Sequence, residues 1–182
     1  MNSVEELKIH RYLDKAIKGT ATMSDDTIEQ VVSHIRDALK KQFNKDEQDT
    51  KFRLRMSNIG KPYCQLWFEK NKPEARVKPP AKLVMNFMLG DIVEAVFKGI
   101  LKESKVNYKD DEGEVSLDID DKTSIKGTYD LTIDGAVDDI KSASNWSYTN
   151  KFRSLDSVKE SDPFGYIGQL AGYAKASNKK IG

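Results

Sequence analysis

The chain has 182 residues, of which 38% are hydrophobic, and its 30 basic residues nearly cancel its 29 acidic ones. This length supports one buried core with a helical extension rather than two ordinary domains. The charge balance excludes a global positive field, so any nucleic-acid binding falls to local patches. A lone cysteine, Cys64, excludes an intrachain disulfide framework and any metal centre built from about four cysteines; a reducing, cytoplasmic setting fits best. With no signal-like N-terminus and no run near the ~20 apolar residues of a membrane span, no membrane partner is expected.

Residues 4–17 and 25–43 carry apolar side chains at helical spacing, through Leu7, His10 and Arg11 and then Ile28, Val31, Val32, Ile35 and Leu39. They read as two amphipathic helices. The polar stretch 44–51 reads as an exposed linker, dividing an N-terminal extension (1–51) from a core (52–182). A helix is expected to start near Lys61 or Pro62 and carry Trp67 and Phe68 into the core, followed by a proline-rich loop over 72–80. Residues 81–104 read as a long helix with Val84, Phe87, Met88, Ile92, Val96 and Ile100 on one side, and Glu94 lies on it.

Short strand-like runs follow: Val115, Leu117 and Ile119, then 125–133, then 136–142. Asp134-Gly135 between the last two is a strong hairpin signal. A final helix, capped by Asp162-Pro163, extends to about Ser177 with Gly165, Gly168 and Gly172 in or beside it.

A two-residue turn at Asp134-Gly135 sets Ile133 against Ala136, Leu131 against Asp138 and Asp130 against Asp139. Two carboxylates directly opposed at ~4.5–5.5 Å between Cβ atoms repel unless a positive charge lies between them. Alternation puts Lys141 on the face of Asp139, and Tyr129, Leu131, Ile133, Ala136 and Ile140 on the opposite, apolar one, where Asp138 is out of place and belongs at an edge. Carboxylate oxygens suit magnesium or manganese, and a lysine beside them can orient a water or balance developing negative charge on a phosphodiester. The same triplet equally fits a solvated strand face with a salt bridge.

Five motifs in order, Met56-Ser-Asn-Ile-Gly-Lys-Pro-Tyr-Cys-Gln-Leu-Trp67, Gly90-Asp-Ile-Val-Glu94, Gly127-Thr-Tyr-Asp130, Asp139-Ile-Lys141 and Gln169-Leu-Ala-Gly-Tyr173, resemble the RecB-type branch of the PD-(D/E)xK nucleases. The likeness is greatest to phage exonucleases related to the CRISPR-associated adaptation nucleases, and it covers the chain from about Arg53 onward. It implies a restriction-endonuclease-like α/β/α core with a mixed central sheet. It further implies that Asp130, Asp139 and the carbonyl of Ile140 bind Mg2+ or Mn2+, that Lys141 assists the attacking water, and that Gln169 and Tyr173 line the site. Where many relatives place a histidine ligand four residues after the helix glycine, this chain has Glu94 after Gly90, and glutamate can also bind a hard cation. Only Cys64 stands at a position used by the cluster-bearing relatives, so no iron–sulfur cluster is expected.

The resemblance also points to Arg53, Arg55, Ser57 and Lys61 as a grip on a 5′ phosphate, although Arg53 and Arg55 equally fit a basic edge and Ser57 a helix cap. Trp146, in the polar stretch 142–150, is the better candidate for stacking on bases. His10 and His34 receive no role. The expected function is a metal-dependent exonuclease acting 5′ to 3′ on linear DNA in phage or bacterial recombination or degradation. A homo-oligomer and a single-strand annealing protein are the partners to consider besides DNA. A structure-specific endonuclease and a non-catalytic DNA-binding module are the rivals. The family core continues into a further strand after the Gln169–Tyr173 helix, so an end at Gly182 raises the expectation of a truncated core.

Overall fold

The computed structural model describes residues 3–43, 52–75, 77, 79–109, 114–121, 123–160, 162 and 165–182; the linker expected over 44–51 lies outside them. Helices α1 (Ser3–Ile17) and α2 (Asp25–Phe43) form where the periodicity places them. In α1, however, the buried residues are Glu5 and Ile9, while Leu7 is exposed. The carboxylate of Glu5 explains the shift, because it accepts from the Asn107 amide at 3.1 Å and pairs with Lys8 at 2.8 Å. Burying it therefore leaves no unmet charge.

α3 (Tyr63–Asn71) starts where expected, but Trp67 and Phe68 are exposed, correcting their placement in the core. Apolar and polar residues alternate around α3 without a coherent stripe, and the two rings pack edge-to-face on each other at 5.2 Å instead. α4 (Ala81–Glu103) matches the expected span. Its apolar residues run nearly all round, so the expected single face is corrected too: Phe87 and Val96 are exposed, and the buried positions are Ala95, Lys98, Gly99 and Leu101. Gly99 lets α2 close on it, since a Cβ there would lie 2.7 Å from Val31 Cγ2. Glu103 at the end of α4 accepts from Ser24 Oγ at 2.7 Å and from Thr27 Oγ1 at the start of α2, hydrogen bonds that hold its carboxyl below the usual range.

The strands are β1 (Tyr108–Lys109), β2 (Glu114–Asp120), β3 (Thr123–Thr128), β4 (Leu131–Ile133), β5 (Ala136–Asp138) and β6 (Lys180–Ile181). The run 125–133 is thus two strands, broken at Tyr129 and Asp130, and the run 136–142 pairs only to Asp138. β2 and β3 form an antiparallel ribbon; the other sheet has the order β1-β4-β5-β6, antiparallel except for parallel β5 and β6. At the β4–β5 turn both central residues have positive φ, 49° at Asp134 and 78° at Gly135, as a type I′ turn requires. Asn107 secures it, donating from Nδ2 to Asp134 Oδ1 at 2.9 Å and accepting from the Asp134 amide at 2.9 Å.

α5 (Asn145–Ser147) runs into a π turn (Tyr148–Phe152), followed by α6 (Leu155–Glu160) and α7 (Tyr166–Ser177). α7 starts later than expected, with Gly165 at its N-cap, but the Asp162 carboxylate still accepts from its first amides, Tyr166 at 2.9 Å and Ile167 at 3.0 Å. After α7 the chain returns to pair β6 with β5 in parallel.

Two apolar clusters sandwich the β4–β5 pair. Leu131 and Ile133 meet Leu101 of α4, Val106 and Ile9 of α1; Val137 meets Tyr129, Met56 and Tyr173 of α7. Both faces of these strands are therefore buried, Thr132 and Val137 included, which corrects the expected division into one apolar and one charged face; Tyr129, expected beside Leu131, packs with Val137 on the opposite side. Full burial of a side chain such as Leu101 contributes roughly 1.5–3 kcal/mol. The molecule is a mixed α/β fold around a small mixed sheet.

Candidate functional site

The hairpin register is the one the turn predicts: Leu131 faces Asp138, Thr132 faces Val137 and Ile133 faces Ala136. Continuing it by one pair brings Asp130 and Asp139 together just past the strand ends. There the backbones stop pairing and side-chain contacts take over. The Ile140 amide donates to Asp130 Oδ2 at 2.7 Å, and Lys141 forms a salt bridge with Asp139 Oδ2. Asp139 is only 11% exposed and Lys141 41%, so the pair sits at the mouth of the fold with its carboxylate inward.

Burial and the neighbouring Asp139 push the Asp130 carboxyl up to about 6, against the opposing pull of Lys141, the Ile140 amide and Lys98. Burial pulls the Lys141 ammonium down, but Asp139, Asp130 and Tyr166 outweigh it and leave the group above its ordinary value. Two carboxylates thus share the site with the Lys141 ammonium, and Lys98 also acts on Asp130.

α7 provides one wall. Gln169 and Tyr173 are both buried there, and Gln169 Nε2 donates to the Tyr173 hydroxyl at 3.1 Å. Burial raises the Tyr173 phenol, Gln169 lowers it, and Asp139 and Asp130 raise it further, so its ring lies within the field of the carboxylates. Tyr166 on the same helix, which the sequence reading passed over, stands with its ring 5.7 Å from Lys141 Nζ. Its place three residues before Gln169 was the available signal.

α4 provides the other wall. A Cβ on Gly90 would lie 3.7 Å from Ser142 Oγ, so the helix runs close beside the residue after Lys141. Glu94 does not join the two aspartates in a cluster: it pairs with Lys98 at 2.9 Å. Among the described residues, no group of three or more His, Cys, Asp and Glu side chains is gathered as for a metal ion. The donors that fit a cation are Asp130 and Asp139, and one or two carboxylates are what magnesium ordinarily takes from a protein. At Ile140, whose carbonyl the resemblance nominates as a ligand, the amide holds Asp130 Oδ2.

Lys98 was also missed, although its spacing of four from Glu94 was legible. It is buried, its charge acts on Asp130, and with Glu94 it lines a cleft of about 480 Å3 between α2 and α4 that also includes His34, Asp37, Lys41 and Asp91. A second cavity, of about 310 Å3, lies between α4 and the hairpin, lined by Val93, Phe97, Leu131, Asp138, Asp139 and Lys141 among others. Asp138 is half-buried on the face of Leu131, its Oδ2 without a hydrogen-bond partner among the described residues, and burial raises its carboxyl.

The candidate phosphate grip is docked against α7. Met56 is fully buried beneath Gly127 and Gly172, and Gly60 touches Gly165 at the start of the helix. Arg53 and Arg55 are exposed on either side of Leu54, braced through their backbones by Asn58, whose Oδ1 accepts from the Arg55 amide at 2.8 Å and whose Nδ2 donates to the Arg53 carbonyl at 3.2 Å. Asn58 is therefore the local cap; Ser57 is exposed inside the turn and does not cap α3. Lys61 pairs with Glu69 at 3.0 Å. Trp146 is 64% exposed, with Lys151 Nζ 5.7 Å from its ring centre. No helix among the described residues is long and apolar enough to cross a membrane. Comparison with known proteins finds no matching family model, curated protein or solved structure.

Proposed function

We propose that this chain is a divalent-metal-dependent deoxyribonuclease of the PD-(D/E)xK type, hydrolysing DNA phosphodiesters from strand ends with 5′-to-3′ polarity. The observation that carries the proposal is the paired Asp130 and Asp139 with Lys141 salt-bridged beside them, at the open ends of two buried strands. Bound magnesium or manganese would polarise the scissile phosphate and lower the pKa of a coordinated water. Asp130 and Asp139 are the residues to hold it, and the Ile140 amide fixes the Asp130 carboxylate in place. Lys141 stays protonated at neutral pH, so its part is to orient the attacking oxygen and stabilise developing charge rather than to accept a proton. Gln169 and Tyr173 position the wall behind the carboxylates.

The opposed carboxylates favour this reading over a DNA-binding module, because they repel phosphate unless a cation intervenes. The test follows end-labelled linear duplex and closed circular DNA with magnesium, manganese or EDTA, comparing wild type with Asp139→Ala. Metal-dependent loss of the linear DNA alone, absent in the variant, is expected. Cleavage of the circle as well would replace the exonuclease with an endonuclease, and cleavage of neither would sink the enzyme reading.

A further inference from the structure

The segment after Lys141 has a local geometry that the hydrolytic site does not need. Ser144 Oγ accepts from the Ser147 amide at 3.2 Å and starts a helical turn, but from Tyr148 to Phe152 the backbone adopts the wider π pattern. π turns are rare and occur frequently at functional positions. Here the consequence can be read from side chains. Across the junction of the α and π turns, Lys151 Nζ comes to 5.7 Å from the Trp146 ring centre. The next residue, Phe152, packs at 6.0 Å on Tyr166, whose own ring stands 5.7 Å from Lys141 Nζ. One side of the turn thus presents an exposed indole beside a cation, and the other is anchored to the catalytic lysine through two rings.

An indole that is 64% exposed with an ammonium over it offers a stacking surface and a phosphate contact at the same point. In a duplex, base faces are covered by their neighbours, so only an unpaired strand or a frayed end can use such a surface. We infer that Trp146 and Lys151 form a stacking platform for unpaired nucleotides, which feeds a single strand of DNA toward Lys141. The inference rests on the nuclease reading for its purpose, but its binding can be measured without turnover.

The chain has two tryptophans, so Trp67→Phe, at an exposed position, leaves Trp146 as the sole reporter. Emission is followed in EDTA during titration with a thymidine strand of about twelve nucleotides, a length within the usual ~4–16 nucleotide single-strand sites, and with a blunt duplex closed at both ends. The strand is expected to quench Trp146, and the duplex to do so weakly. Followed by a label on the DNA, Trp146→Ala should bind the strand about five- to a hundredfold more weakly while its duplex affinity stays unchanged. Equal quenching by strand and duplex, or unchanged strand affinity in Trp146→Ala, would overturn the platform. Trp146 is exposed and buries no core contact, so the variant should keep its fold, and an unchanged circular dichroism spectrum checks it. Selective quenching with no metal-dependent cleavage would overturn the nuclease reading and leave the platform standing; cleavage without quenching would do the reverse.

Discussion

The amide of Ile140 donates to Oδ2 of Asp130 at 2.7 Å, which fixes a carboxylate whose proton affinity is already raised by burial and by Asp139. The folded chain holds that proton up to about pH 6, whereas an ordinary aspartate releases it near 3.8. Stability from this group is therefore fully present below about pH 4 and lost as pH rises through about 6. Asp130→Asn removes the dependence. In EDTA the variant should gain on wild type by on the order of 1–3 kcal/mol between pH 4 and pH 8, read as a widening gap in urea-unfolding free energies. A constant gap across that range would mean that Asp130 is not protonated in the fold.

Lys141 neutralises part of the charge that Asp130 and Asp139 bring together. Lys141→Met should cut cleavage by about 10²–10⁴-fold, the usual range for loss of a positioned catalytic group. Manganese binding should survive, because an ammonium offers no lone pair to a cation. The metal-free variant should also melt lower than wild type, and manganese should restore more of its melting temperature than it does for wild type. Equilibrium dialysis with manganese and thermal melts check these outcomes; normal turnover would remove Lys141 from the mechanism.

Where a local rule governs, the sequence was enough. Asp134-Gly135 demanded a turn with two positive φ values, and the turn in turn fixed the partner of every residue in β4 and β5. Asp162 could be recognised as a cap from its position alone. What the sequence could not disclose depends on contacts made across the fold. Trp67 and Phe68 look like core residues, yet α3 finds nothing to bury them. Thr132 and Val137 are buried because α7 covers their face of the sheet, so alternation could not leave that face open. Ile9 shares a cluster with Leu101 and Leu131, so the first helix contributes to the core from far away in sequence. Glu94 lies where its helical position puts it, and one of its partners, Lys98, sits one turn further along the same helix.

Gly60 and Gly165 meet backbone to backbone: a Cβ on Gly60 would stand 2.1 Å from the Gly165 Cα, and one on Gly165 would stand 2.2 Å from the Gly60 Cα. No flexible side chain is there to yield. Gly60→Ala should destabilise by about 1–3 kcal/mol or more, as overpacking does. Gly165→Ala should cost further, because its φ of 71° is unfavourable for any residue with a Cβ. Because this contact seats the Arg53–Lys61 segment on α7, Gly60→Ala should also weaken discrimination between 5′-phosphorylated and 5′-hydroxyl ends. Urea denaturation checks the first outcome, and competition between the two ends checks the second.

Lys98 is buried with only 3% of its side chain exposed, and Glu94, 2.9 Å away, retains 27%. Glu94 is a direct carboxylate partner of this buried ammonium, whose charge also acts on Asp130, so Glu94→Gln removes part of its compensation whereas Lys98→Met leaves no buried cation behind. The residual exposure of Glu94 gives its carboxylate access to water when Lys98 is lost. Glu94→Gln should therefore be the more damaging single change, by about 1–3 kcal/mol against a smaller loss for Lys98→Met. The double variant should recover part of the Glu94→Gln loss, since the buried ammonium that lost one carboxylate is gone. A double-mutant cycle in urea measures the coupling. Additive losses would show that Lys98 is held by Asp130 rather than by Glu94, and would move the centre of this charge cluster from α4 to the hairpin.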